Sequence, residues 1–347
     1  MPTPLPMIFD GHNDAMLRLW KSGVDGVADR FRRSETGHID LTKAQKGGLA
    51  GGFFALFAPP EGTFVMPDFT PPYDVALPSM LDQQIALKMI VEQAAILLTL
   101  DRAGVLRLCR NRAEIDTAIS KGEIAALMHL EGAEAIDTDL LALETLYGAG
   151  LRSLGPVWSR PTIFGHGVPF RYPSDGDTGP GLTDAGKRLV ARCAELGVIV
   201  DTSHLNMAGF HDVAEAGLPL VATHSNAHAI SPGARNLTNA QLRAIGETGG
   251  MVGLNYGTMF LREDGRASPD GGLEAAMRHL QHMIEHAGED HVGLGSDFDG
   301  APMPKGLESA AQLDNLRQAM RDHQFGEALI AKICNQNWLA FIGRALG

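Results

Sequence analysis

Six residues in this chain are of types that hold metal ions, and each sits just past a short apolar run. His12 and Asp14 follow the run at 7–10, Glu131 follows 124–130, His204 follows 198–200, His224 follows 218–222 and Asp297 follows 291–294. Side chains alternate along an extended chain, so a strand running into His12 and Asp14 would send both the same way. An imidazole and a carboxylate leaving one strand end make half of a metal cup. Three imidazoles and three carboxylates are too many for one tetrahedral zinc with an open position. They suit two divalent ions bridged by a carboxylate and a water. Nitrogen and oxygen donors without thiolate favour zinc, with manganese, cobalt or iron admitted.

Each residue also has a plainer reading. Asp14 could cap the helix that starts at Ala15, and Glu131 could cap the segment after it. His204 and His224 each follow a turn bearing Ser or Thr, and Asp297 and Asp299 could shape the turn before Gly300. Any one residue is best explained that way. All six falling on run ends of the same polarity is not.

The elements that would position them come in a regular order. Eight buried runs, 7–10, 50–58, 124–130, 151–158, 198–200, 218–222, 250–254 and 291–294, are rich in Val, Ile, Leu and Ala and are bounded by Gly. Helical spacing of apolar residues predicts helices over 15–22, 80–103, 139–148, 184–196, 206–216, 238–247 and 273–286, with two more at 309–323 and 327–346. Alternating strands and helices imply a parallel sheet. Eight such units predict a closed (β/α)8 TIM-type barrel with extra C-terminal helices, in one domain spanning 1–347; an open doubly wound sheet is the alternative. In a barrel the C-terminal strand ends converge on one mouth, which would gather the six residues. Pro156 sits awkwardly inside the fourth run and needs a local explanation.

Bulk properties narrow the class. With 29 Lys and Arg against 41 Asp and Glu, the net charge of −12 argues against nucleic acid or an anionic membrane as partner. No glycine-rich phosphate loop follows a strand, so nothing asks for a nucleotide. Three cysteines, Cys109, Cys193 and Cys334, lie far apart, which supports neither a disulfide framework nor a thiolate zinc site and fits a reducing compartment. The N-terminus reads as neither a leader nor a membrane anchor, no run of 18 apolar residues stands out, and the cytoplasm is the expectation.

The strings around the six residues are Asp10-Gly11-His12-Asn13-Asp14, Leu130-Glu131-Gly132, Asp201-Thr202-Ser203-His204, Thr223-His224-Ser225-Asn226 with Arg235-Asn236-Leu237 beyond it, and Gly293-Leu294-Gly295-Ser296-Asp297-Phe298-Asp299-Gly300. In order and number they resemble the membrane (renal) dipeptidase family, peptidase family M19 of the metal-dependent amidohydrolase superfamily. The resemblance implies a dipeptidase with two zinc ions, one on His12, Asp14 and Glu131 and the other on Glu131, His204 and His224. It places Asp297 beside the first ion as the proton shuttle for an attacking water, and it gives Arg235 the substrate's C-terminal carboxylate. A bidentate guanidinium suits that carboxylate. Such a clamp would select dipeptides, because a longer peptide puts no free carboxylate at that distance.

One departure stands out. Mammalian family members carry a His after the fourth strand that steadies the tetrahedral intermediate, and Trp158 occupies about that place here. His166, in the loop Phe164-Gly165-His166-Gly167, or Arg160 is the expected substitute electrophile. Trp158 and Tyr256 are expected to touch substrate. Their lipid anchor is not carried over, and a homodimer is expected from the resemblance alone. Two other readings remain: hydrolysis of another small amide, lactam or lactone, and an inactive metal-binding barrel acting as an interaction protein. The presence of all six residues weighs against the second.

Overall fold

The computed structural model describes residues 6–62 and 67–347. Its centre is a barrel of eight parallel strands: β1 Ile8–Asn13, β2 Leu49–Phe57, β3 Ala125–Glu131, β4 Leu151–Leu154, β5 Ile199–Val200, β6 Val221–Ala222, β7 Met251–Leu254 and β8 Val292–Leu294. Their order around the sheet is β5-β4-β3-β2-β1-β8-β7-β6. A parallel bridge between Asp201 and Val221 joins the two ends and brings the barrel nearly to closure. The barrel predicted from the eight apolar runs is therefore present, and the open sheet is not.

Five of the eight strands, β4 to β8, are shorter than their apolar runs. The fourth ends at Leu154, so Pro156 lies past the ladder and removes no sheet hydrogen bond. Two short accessory pieces were not anticipated. Arg107–Leu108 pairs with the start of β3, and Tyr73–Asp74 pairs antiparallel with Arg171–Tyr172 outside the barrel. Packing between strands is close: a Cβ on Gly51 would lie 2.3 Å from the Ala125 carbonyl oxygen, so β2 and β3 approach only because that side chain is absent.

Helices surround the strands, and several start where a side chain accepts the first free amides. Asp82 caps Gln83–Arg102, Thr183 caps Asp184–Leu196, Asn206 caps Met207–Glu215, and Thr238 with Gln241 forms a capping box on Asn239–Glu247. Gln83–Arg102 is long and apolar enough to cross a membrane by length and composition alone, although Lys88, Glu92 and Gln93 interrupt its apolar residues. Here it lays Ala86, Ile90, Leu97 and Leu100 on the barrel. Helices Val27–Arg32 and Arg112–Ser120 were missed because they are short and half polar. The expected final helix is interrupted by a π-helical turn, Lys332–Gln336.

Alternation along the strands sorts the barrel interior into a plugged end and a polar mouth. Phe9, Phe53, Leu127, Val221 and Met251 form an inner apolar cluster with Trp338, Phe341 and Ile342 of the last helix. Trp338 is fully buried and donates its Nε1–H to the Leu294 carbonyl at 2.9 Å. On β3 the side chains that follow Leu127 on the same face are His129 and Glu131. The polar residues thus occupy the other end, at the C-terminal strand ends.

Candidate metal centre

The six residues singled out by type and position come together at that mouth. His12 Nε2 lies 3.4 Å from Asp14 Oδ2 and 3.7 Å from Glu131 Oε1. Glu131 Oε1 lies 3.0 Å from His204 Nε2 and 3.5 Å from His224 Nε2. Donor atoms of His12, Glu131 and His224 fall within 4.8 Å of one another, as do those of His12, Asp14 and Asp297. Glu131 reaches the imidazoles of three different strands, as a carboxylate between two cations would.

Backbone detail places each group. Between Asp10 and Asn13, β1 spends three steps where β2 spends two, from Gly52 to Phe54. This bulge shifts the alternation, so His12 joins the interior face that Phe9 occupies lower down. Asp14 is outside the strand, at the N-terminus of helix Ala15–Lys21, where its side chain makes no cap bond. It is therefore brought to His12 by a turn, and not by the period of two expected from the sequence. Asp297 has φ +59° and Asp299 φ +68°. The Asp297 amide donates to the His12 carbonyl at 3.0 Å, and the Asp297 carbonyl accepts from Gly300 and Ala301 at 3.1 Å. A Cβ on Gly300 would stand 2.1 Å from Asp14 Oδ2 and 2.4 Å from Asp297 Oδ1, so this glycine leaves the space in which the two carboxylates approach.

The electrostatics describe a hole for positive charge. Burial opposes charge on His12, but Glu131, Asp14 and Asp297 outweigh it and push the imidazole up to about 10. Neither ring nitrogen of His12 has a hydrogen-bond partner among the described residues, although the ring is fully buried. Burial pushes Glu131 well above the usual carboxylate range, with Asp14 and Asp297 adding to it, and it also raises Asp297. Burial, then the charges of Arg235 and His12, hold His204 well below its ordinary value, and burial with His12 and Arg235 does the same to His224. The Nε2 atoms of His204 and His224 stand 3.1 Å apart. A buried cluster of carboxylates and imidazoles that favours positive charge at its centre suits a divalent metal.

Arg235 lies on the wall of the same cavity, 4% exposed. It donates to the carbonyls of Ser203 and His224, the latter at 3.2 Å, and stacks over Phe260 with its guanidinium carbon 5.5 Å from the ring centre. Burial lowers it to about 10, against the pull of Asp297, Glu131 and Asp201. Among the described residues no carboxylate is in ion-pair contact with it, and its Nε has no partner. The rest of the wall is apolar: Phe57, Trp158, Phe170, Met259 and Phe260.

Three sequence expectations need correction. Arg160 is fully buried and spent elsewhere, with Nε and Nη2 on Glu134 Oε1 at 3.0 and 2.7 Å and Nη2 on the Ala58 carbonyl at 2.8 Å. It pairs with Glu134 and does not line the cavity. His166 is half-buried, its carbonyl accepts from the Asn206 amide at 3.2 Å, its loop pairs with the segment after β5 through the Gly167–Leu205 bridge, and it does not line the cavity. Tyr256 is buried against Phe298, its ring centre 5.5 Å away, and does not line the cavity either. Trp158 does line it, beside Phe57 and His204.

Other polar residues support the centre. Asn255 donates Nδ2–H to Asp297 Oδ2 at 2.9 Å. Asp299 accepts from Arg18 Nε at 3.0 Å and from the His38 amide at 2.6 Å. Ser159 Oγ lies 3.0 Å from His204 Nδ1, and Thr223 Oγ1 lies 2.8 Å from His224 Nδ1. Asn255 and Asp299 are legible in the sequence as polar residues at strand ends, Asp299 as a turn former. Ser159 carried no signal.

Comparison with known proteins fits this geometry. Residues 5–345 match the family described as membrane dipeptidase, peptidase family M19. A metallopeptidase of Rhodobacter sphaeroides, solved with a phosphinate mimic of the dipeptide L-Ala-D-Ala, is 47% identical, with a TM-score of 0.94 over 98% of this chain and 99% of its own. The M19 dipeptidase AC is 48% identical, with the same TM-score and coverage. An uncharacterised dipeptidase of Schizosaccharomyces pombe is 29% identical over 322 residues, 89% of this chain and 73% of its own length. A single M19 match along nearly the whole barrel, over a mouth built of His and carboxylate side chains, makes this chain a member of peptidase family M19 and a metal-dependent dipeptidase.

Proposed function

We propose that the chain hydrolyses dipeptides bearing a free C-terminal carboxylate, with two divalent ions, zinc first, in the cluster at the barrel mouth. His12, Asp14 and Glu131 would hold one ion and Glu131, His204 and His224 the other. The unpartnered nitrogens of His12, the Gly300 gap between Asp14 and Asp297, and the all-nitrogen-and-oxygen donor set support that assignment. Bound divalent ions there would supply Lewis acidity toward the scissile carbonyl and an acidified water near neutral pH.

This chain's own residues do the rest. Asn255 engages Asp297 Oδ2 and leaves Oδ1 to take a proton from the attacking water and return it to the leaving amine. Burial raises Asp297 toward the range where it can do both. Phe57, Trp158 and Phe170 form a dry wall that strengthens every charge interaction inside. Arg235 carries the substrate reading: a buried guanidinium, held in place by backbone carbonyls and lacking a carboxylate of its own, is a receptor for one. The L-Ala-D-Ala mimic bound by the Rhodobacter sphaeroides relative supports acceptance of a D-residue at the C-terminal position.

The test is elemental analysis of the purified protein, then hydrolysis of L,L- and L,D-dipeptides beside tripeptides and C-terminally amidated dipeptides. Close to two ions per chain, with turnover confined to free-carboxylate dipeptides, is expected. One ion per chain, or equal turnover of amidated dipeptides, overturns the binuclear assignment or the Arg235 clamp respectively.

A further inference from the structure

The two imidazoles on β5 and β6 are supported differently. His224 Nδ1 faces Thr223 Oγ1 at 2.8 Å, and that hydroxyl donates to Asp201 Oδ2 at 2.6 Å. Asp201 is 3% exposed and accepts three further hydrogen bonds on Oδ1, from the Ser203 amide at 3.0 Å, the Ser203 hydroxyl at 2.6 Å and the Thr223 amide at 3.0 Å. A carboxylate surrounded by donors can only accept. The single Thr223 hydroxyl proton therefore points at Asp201, and its oxygen must receive a proton from His224 Nδ1. Among the described residues His204 Nδ1 meets only the Ser159 hydroxyl, at 3.0 Å, which can turn to donate or to accept.

We infer that Asp201 is a positioning residue that, through the Thr223 hydroxyl, fixes His224 in its Nδ1–H tautomer and bares Nε2 toward the metal cluster before any ion arrives. The inference rests on the proposed role of His224 as a metal ligand. Metal-binding histidines commonly donate their second nitrogen to an orienting acceptor, and loss of that acceptor lowers metal affinity about 10–100-fold. Here the acceptor is a neutral hydroxyl polarised by a carboxylate one bond further on. His204 has no such carboxylate-backed support on Nδ1 among the described residues, so in the metal-free protein its tautomer is set from the other side of the ring, where Nε2 faces Glu131 Oε1 at 3.0 Å and His224 Nε2 at 3.1 Å. The same carboxylate lies 3.5 Å from His129 Nε2, and the His129 ring meets the His12 ring edge-on at 5.5 Å between centres. One buried carboxylate thus underlies imidazoles of both proposed metal groups.

The relay has a direction, and Asp201→Asn should reverse it. An asparagine keeps a carbonyl oxygen for the three donors at Oδ1 and turns its amide N–H toward Thr223. Thr223 then accepts, its own proton swings to His224 Nδ1, and the His224 proton moves to Nε2, where a metal would bind. Imidazole nitrogen and proton NMR of metal-free protein reads this directly. His224 is expected as Nδ1–H in wild type and in T223S, mixed in T223V, and Nε2–H in D201N. Zinc affinity, measured by competition with a chromophoric chelator, is expected to fall about 10–100-fold in D201N and T223V and to stay within about threefold of wild type in T223S. Should D201N fail to fold, the T223S and T223V pair carries the test, with circular dichroism as the control. An Nε2–H tautomer in wild type, or equal zinc affinity in T223S and T223V, overturns the inference. Failure of wild type to bind zinc would overturn the metal assignment instead, and the tautomer result would stand apart from it.

Discussion

Acid should loosen this protein through one histidine outside the metal cluster. His279 is fully buried on helix Gly272–Ala287; its Nδ1 accepts from the Ala227 amide at 3.0 Å, and its Nε2–H donates to the Leu261 carbonyl at 2.9 Å. The Ala227 bond requires the neutral ring, since a proton on Nδ1 would face the Ala227 N–H, whereas the Leu261 bond survives protonation. Burial, opposed by the Leu261 bond and assisted by Arg278 and His282, pushes the imidazole from 6.5 down to about 4. The unfolded chain therefore takes up the proton first. The contribution is complete above pH 6.5 and is lost as pH falls toward 4. At roughly 1.4 kcal/mol per pH unit the full loss is about 3 kcal/mol. Gln in its place can donate similarly but cannot titrate. Urea unfolding of wild type and H279Q, followed from pH 7.5 to 4.5, should show wild type the more stable at neutral pH and the gap closing by most of that amount in acid. The effect should reach function, since Ala227 follows the His224–Asn226 segment and Leu261 follows the wall residues Met259 and Phe260. A gap that stays constant with pH would refute the reasoning.

Three further outcomes follow from contacts already described. R235M should lower kcat/KM for a free-carboxylate dipeptide by about 10²–10³, as expected for losing a charge-assisted pair, while leaving any residual turnover of the amidated dipeptide nearly unchanged; an equal loss on both substrates would count against the clamp. G300A should cut bound metal and activity at least about tenfold with an unaltered circular dichroism spectrum, because its Cβ falls 2.1 Å from Asp14 Oδ2; full metal content would show that the loop yields. R160M should cost about 3–5 kcal/mol by stranding Glu134 in the interior, with E134Q/R160M recovering part of it; additive losses would deny the coupling.

Legibility in the sequence tracked how local the determining physics was. Ala125–Glu131 was readable because a strand buried on both faces has an unbroken apolar run, and its alternation also places His129 and Glu131 above Leu127. The mouth cluster was readable because barrel topology converts sequence position into spatial position. Arg160 was misread because its partner Glu134, 26 residues away, gives no sign of itself along the chain. His166 and Tyr256 were placed by proximity to strand ends, which fixes neither which way a loop folds nor which side of a turn faces the cavity. His279 shares a helical face with Ala276, Leu280 and Met283, so the period of 3.6 alone puts it on the buried side of its helix.

The least regular part of the barrel carries the most demanding polar network, and the two facts are connected. β5 and β6 are two residues each, and the seam between them has a single backbone bridge. That bridge includes the Thr202 amide on the Val221 carbonyl at 2.7 Å, and what joins the strands beyond it involves side chains: the Thr202 hydroxyl donates to the same carbonyl at 2.8 Å, and the Asp201 carboxylate accepts the Thr223 amide and hydroxyl. A longer ladder would have used those backbone groups on each other and sent Thr223 and Ser203 into pleat alternation. Breaking the ladder early frees the strand ends to carry His204 and His224 inward to within 3.1 Å of each other, and a fully satisfied buried network keeps them there. Closure of the fold and orientation of the imidazoles thus rest on the same carboxylate. A substitution at Asp201 should therefore lower unfolding stability and zinc affinity together, whereas T223V, which leaves the Thr223 amide bond intact, should lower affinity more than stability.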